Sequence, residues 1–229
     1  MEDTSSSFLA LFPTRILMFT LTDAARLKPL LVEAVELERQ RCTGVQKTNQ
    51  GGWHSTTDFH HRQYPAVQEF VQLARQQLSL WAEGFFDLSK RPDPDLWQVE
   101  LWANRNEHGH FNRAHDHFRT GICASLFYYV RCGGNGVGGK TVIINQQSKP
   151  ANIESSIPLR EATFSLTPSD GTGYVIPSWQ GHEVTTYLGT IPRITLALNA
   201  SHPDLSVKKH GDKARLSRLT SLFKKHRKN

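Results

Sequence analysis

RPDPDLWQVELWANRN, residues 91–106, is where the chain changes texture. Before it, apolar residues recur at helical spacing. From Leu96 onward they alternate in part and are strand formers. GICASLFYYVRC (121–132), KTVIIN (140–145), EATFSLTP (161–168), TGYVIPSW (172–179), HEVTTYL (182–188) and RITLALN (193–199) continue the pattern between Gly/Pro turns. Short strands so spaced predict an antiparallel sandwich or barrel. GGNGVGG (133–139) reads as a hairpin tip. Strands flank it, and it lacks the Lys-Ser/Thr ending of a phosphate loop.

Upstream, FLALFPTRILMFTL (8–21) is rich in strand formers, and Thr22 with Asp23 reads as a helix cap. Leu27, Leu30, Leu31, Ala34, Val35 and Leu37 follow a helical period. Pro29 is expected in the first turn of that helix, where its missing N–H does no harm. Residues 42–61 read as a polar, glycine-containing loop. A second helix is expected over residues 65–86, with Val67, Phe70, Val71, Ala74, Leu78 and Trp81 on one face. Two helices before a run of strands give an α+β, mainly β fold in which the helices brace one sheet.

At 229 residues, with 38% apolar content, twelve Phe and five Trp, the chain fits one domain with a packed core. No apolar run is long enough for a membrane span, and the N-terminus lacks a secretory leader, so a cytoplasmic location is expected. Cys42, Cys123 and Cys132 are scattered and odd in number, which predicts reduced thiols. The net charge of +6 is uneven. Residues 208–229 hold nine Lys/Arg and one Asp, leaving 18 basic and 20 acidic residues in 1–207. Residues 1–207 are therefore read as the domain and 208–229 as a basic tail. Leu216, Leu219, Leu222 and Phe223 give that tail an apolar stripe suited to packing on the body. Contact with RNA, anionic lipid or an acidic partner is the alternative.

HFNRAHDHFRTG (110–121) carries the chemistry. On an extended strand His115 and His117 share a face and Asp116 points away. His182 follows Pro177, Ser178 and Trp179, and Arg193 and Thr195 are again two apart. Imidazoles suit Fe, Zn, Cu or Ni. An arginine and a hydroxyl on one strand face suit the distal carboxylate of an oxoacid. His54, His60, His61, His202, His210 and His226 are read as structural or surface residues, and His108 with His110 as an entrance feature at most.

These motifs resemble the 2-oxoglutarate/Fe(II)-dependent oxygenases of short bacterial and phage type. The residues that carry the resemblance are Leu11-Phe12-Pro13-Thr14, Gly51-Gly52-Trp53, Asn112 with His115 and His117, and Ser125 through Val130. Pro177-Ser178-Trp179 with His182 and Val184, and Arg193-Ile194-Thr195, complete it, so that it spans roughly residues 8–200. It implies a double-stranded β-helix, or jelly roll, that uses Fe(II), O2 and 2-oxoglutarate as cosubstrate. Two departures are a longer stretch between His117 and Ser125, and Leu126 where the family has Gly.

The resemblance and strand geometry both favour His115, His117 and His182 as the metal face. Asp116 is the alternative if a bulge re-aims it. A neutral triad would make iron binding depend on the oxoacid for charge compensation. Arg193 and Thr195 are expected to clamp 2-oxoglutarate, with Lys140 a competing anchor. Asn104, Asn112 and Tyr129 are candidates for its other end or are satisfied sheet polar groups. Trp53, Trp102 and Trp179 line the substrate mouth or pack the core. The expected reaction is hydroxylation, or desaturation or cyclisation, of a small amino-acid-like or peptide substrate. A cupin-like metal binder without oxygenase activity is one rival. An oxygenase acting on nucleic acid through the tail is another, but RITLALN lacks the second arginine of base-demethylating enzymes. Substrate identity and oligomeric state stay open.

Overall fold

The structure is a computed structural model that describes residues 13–146 and 162–205. Residues 208–229, and with them every expectation for the basic tail, lie outside the described residues, as do residues 8–12 of the first apolar segment. Eleven strands and two helices follow in order: β1 (Leu17–Thr20), α1 (Ala24–Arg41), β2 (Asn49–Gln50), β3 (Trp53–His54), α2 (Pro65–Phe85), β4 (Gln98–Asn106), β5 (Phe111–His115), β6 (Ala124–Arg131), β7 (Thr141–Ile144), β8 (Thr163–Leu166), β9 (Thr172–Pro177), β10 (His182–Val184) and β11 (Arg193–Ser201).

The strands form two antiparallel sheets, ordered β1-β9-β6-β11-β4-β3 and β2-β5-β10-β7-β8. This is a jelly roll, the architecture expected from the sequence. The larger sheet is buried on both faces. Leu126, Tyr128, Val130, Leu196 and Leu198 face the helices, where they meet Leu27, Leu31, Val35, Phe70 and Leu78. The intervening Phe127, Tyr129 and Ala197 face the smaller sheet, beside Trp102, Ile143, Leu166 and Ile176. Successive side chains on a strand therefore sort alternately into two separate cores.

α2 places its apolar stripe as expected, with Val67, Phe70, Val71, Ala74, Leu78 and Trp81 all buried. Phe70 is 0% exposed and its ring lies 5.1 Å from that of Tyr128. Phe70→Ala should therefore lower the unfolding free energy by about 3–5 kcal/mol, the cost of deleting a buried aromatic ring. Urea denaturation checks this. A loss under 1 kcal/mol would mean that the helix does not brace this sheet.

Four expectations change. Pro29 lies inside α1, which begins at Ala24, so proline does not mark its first turn. Both Pro29 and Ala25, whose carbonyl loses its intrahelical donor, are exposed, so water meets that carbonyl. Burial of Leu27, Leu31, Ala34 and Val35 outweighs the roughly 3 kcal/mol cost of an interior proline. Leu30 and Leu37 are 43% and 42% exposed and belong to the solvent side. GGNGVGG is no hairpin tip: it carries the chain from β6 in one sheet to β7 in the other. Residues 42–61 are also more ordered than a loop, since they hold β2, β3 and a short 3-10 turn at Phe59–His61.

Candidate metal centre

β5 and β10 pair with His115 opposite His182, and the register shifts between His182 and Val184. One residue more on β5 than on β10 bends the strand and ends it at His115. His117 thus lies past the strand, and alternation alone does not place it. Its N–H donates to the Ser178 carbonyl at 2.8 Å, which pins it beside the Pro177-Ser178-Trp179 turn. The three rings converge, with centroid separations of 4.4 Å for His115–His182, 5.1 Å for His115–His117 and 5.2 Å for His117–His182. One ligand nitrogen from each lies within 4.8 Å of the other two, so the set could hold a metal ion.

Protonation favours that use. Nδ1 of His115 meets the Arg113 carbonyl at 2.7 Å, and Nδ1 of His182 meets the Gln180 carbonyl at 3.0 Å. A carbonyl only accepts, so each Nδ1 carries the proton and each Nε2 keeps its lone pair. Burial lowers all three imidazole pKa values, that of His117 to about 3 and that of His182 to about 4. The rings are therefore neutral at pH 7, the form that binds metal.

Asp116 lies in the same cavity wall but is exposed, and its Oδ1 accepts from the Phe118 N–H at 3.0 Å. Its carboxylate caps a turn and is absent from the converging set. Asp116→Ala should accordingly leave iron(II) affinity within about threefold of wild type in an anaerobic titration, since a surface turn contact is a small term. A hundredfold loss would install Asp116 as a ligand.

A cavity of about 290 Å³ opens between the sheets, and His115, His117, His182, Asn104, Asn112, Arg193 and Thr195 all line it. Arg193 is 2% exposed, and no described carboxylate pairs with it. One Nη donates to Asn106 Oδ1 at a long 3.4 Å, the guanidinium carbon lies 5.4 Å from the centre of the Tyr129 ring, and Nε has no partner. Gly139, at φ 65°, passes directly behind it, and a Cβ there would come within 2.8 Å of Arg193 Cδ. Thr195 is the cross-strand neighbour of both Asn104 and Tyr129. Asn104 Nδ2 reaches Thr195 Oγ1 at 3.5 Å, and its Oδ1 is buried without a partner.

Several other candidates fall outside the cavity wall. Tyr129 stands behind it: its hydroxyl donates to Thr141 Oγ1 at 2.7 Å, and Thr141 lines the cavity instead. Lys140 is exposed. Trp102 lines the cavity, with its ring 5.6 Å from that of His117, whereas Trp53 donates to the Cys42 carbonyl. Trp179 is half-exposed and is not among the lining residues. The three cysteines are free thiols, as expected. His54, read as structural, also lines the cavity, stacked on Trp102 at 5.5 Å. Its place just after Gly51-Gly52-Trp53 was the available signal. Asn199 and Ser125 were missed too. Extending the two-residue rhythm of Arg193 and Thr195 along β11 reaches Ala197 and then Asn199, which pairs with Ser125. Among the described residues, no helix is long and apolar enough to cross a membrane.

Residues 100–199 match the family described as "Putative 2OG-Fe(II) oxygenase". No curated protein matches the chain. Among solved structures, a prolyl-4-hydroxylase from Pseudomonas putida is similar at 17% identity and a TM-score of 0.60, over 82% of this chain and 93% of that one. A prolyl hydroxylase from Trichoplax adhaerens, in complex with a hypoxia inducible factor peptide fragment, aligns at 12% identity and 0.60, over 82% and 84%. HygX from Streptomyces hygroscopicus, with nickel and 2-oxoglutarate bound, aligns at 12% and 0.55, over 87% of each chain. At these identities the likeness is one of fold.

Proposed function

We propose, from the match of residues 100–199 to the 2OG-Fe(II) oxygenase family, that this chain hydroxylates a small amino-acid-like or peptide substrate at iron held by His115, His117 and His182. The observation that carries this reading is the pairing of two features in one cavity: three neutral imidazoles and a buried arginine with no acidic partner.

The residues fit both groups. Lone pairs on His115 and His182 Nε2 are held ready by the carbonyls at Nδ1, so three nitrogens would hold iron(II) on one face. Arg193 would take the distal carboxylate of 2-oxoglutarate as a two-pronged donor, with the Thr195 hydroxyl as a further donor. Asn104 and Asn112 face the same space and can donate to the oxoacid from the sides. Once bound, iron and 2-oxoglutarate supply O2 activation and C–H oxidation, with succinate and CO2 as coproducts. The protein's own part is to orient and to exclude water. Trp102 and Phe127 form the apolar wall beside the imidazoles, 5.6 Å from the His117 ring and 6.4 Å from that of His182. A plain cupin-like metal binder has no use for Arg193, which is costly to bury unpaired.

Anaerobic iron(II) titration with and without 2-oxoglutarate, followed by an oxygen-dependent succinate assay, tests the reading. Neutral ligands leave the metal's charge to the oxoacid, so 2-oxoglutarate should tighten iron binding at least tenfold. Equal iron affinity in its absence, or succinate formation independent of iron, would refute it.

A further inference from the structure

The two-residue rhythm of the larger sheet arranges the cavity floor in layers. Register places Arg193 beside Asn106, then Thr195 between Asn104 and Tyr129, then Ala197 between Trp102 and Phe127, then Asn199 between Glu100 and Ser125. The imidazoles sit over the third layer, in ring contact with Trp102 and Phe127. Arg193 is four residues from that layer, about 13 Å at the rise of a strand, and Asn199 is two residues away on the other side, about 7 Å. The cosubstrate's anchor and the fourth layer thus lie at opposite ends, with the metal level between them.

The fourth layer is polar where the third is apolar. Ser125 Oγ donates to Asn199 Oδ1 at 2.9 Å, a bond that does not use the Asn199 amide hydrogens, and both residues line the cavity. Both residues are buried, so those donors call for an acceptor. Glu100 on β4 pairs with Arg119 from the segment after His117, and both line the cavity. Their side chains are 43% and 53% exposed, so the pair contributes on the order of 0–1 kcal/mol and opens at little cost.

We propose that Glu100, Arg119, Ser125 and Asn199 form the subsite for the prime substrate, and that it takes a free α-amino acid with an aliphatic side chain. This rests on the oxygenase reading of the same cavity. The Glu100 carboxylate receives the ammonium group. The Arg119 guanidinium and the Asn199 amide receive the carboxylate. The side chain spans about 7 Å along the Trp102–Phe127 wall to the metal level. A zwitterion suits this arrangement better than a peptide, because side-by-side opposite charges are matched by side-by-side opposite charges. A neutral main chain would leave the ion pair as it is.

Anaerobic calorimetry on the full chain loaded with iron(II) tests this. 2-Oxoglutarate is titrated first, then L-valine, L-leucine, L-isoleucine and L-lysine, each against its N-acetyl amide. At least one free amino acid should bind tenfold or more tightly than its blocked form, and E100Q and R119Q should each weaken it tenfold or more. If 2-oxoglutarate binds but no free amino acid does, or the blocked forms bind equally well, or neither variant changes affinity, the subsite is overturned and the oxygenase reading stands. If 2-oxoglutarate itself does not bind, both fall.

Discussion

Arg193→Ala should weaken 2-oxoglutarate binding roughly 30-fold to a few thousand-fold, the equivalent of about 2–5 kcal/mol for removing one partner of a buried charge pair. The same substitution should leave the ligand-free protein as stable as wild type or more so. In the free protein the guanidinium is buried without a carboxylate, its Nε is unpartnered, and burial pulls its pKa below the usual arginine value. Arginine nevertheless stays charged, so the fold carries an uncompensated cation whose stabilising partner is the ligand. Arg193→Met, which fills more of the volume, should show the gain more clearly. Thermal unfolding with and without 2-oxoglutarate reads both effects at once: a higher midpoint without ligand and little upward shift with it. A structural arginine would behave in the opposite way, with a lower midpoint and an intact shift. Unchanged affinity would remove Arg193 from the site.

The strand run after RPDPD and the stripe of α2 were legible because each has one dominant periodicity. β6 and β11 were harder, since ASLFYYVR and RITLALNAS are buried on both faces. A strand buried twice shows no polar–apolar alternation, so its inward face is fixed only by an anchor of known direction. Arg193 and Thr195 gave that anchor for half of β11, and the rest of the floor follows from register. Pairing between distant strands was not legible, which is why GGNGVGG passed for a hairpin: strands that are neighbours in sequence end up in different sheets. His117 shows the complementary limit. Alternation grouped it with His115, but the structure holds it through a loop hydrogen bond beyond the end of the strand. His54 arrives from a two-residue strand too short to carry a period.

His182→Ala should abolish measurable iron(II) binding in the micromolar range and take succinate formation with it. Loss of an outer-shell partner to a metal ligand typically costs 10–100-fold, and loss of the ligand itself should exceed that, on the order of a thousandfold. His182 is the sharpest of the three to test because it is the most buried and its β10 pairs with both β5 and β7, which fixes its backbone on both sides. His117→Asp makes the converse case. It places a carboxylate where the protein has an imidazole, so the ligand set gains a negative charge. Iron should then bind without 2-oxoglutarate at least tenfold better than in wild type, and the tightening by the oxoacid should shrink. The pair of variants separates position from charge: His182→Ala removes the site, whereas His117→Asp keeps it and shifts its charge. If His182→Ala retained iron, the three-imidazole centre would be wrong. If His117→Asp left the oxoacid dependence unchanged, the neutrality of the ligands would not be its cause.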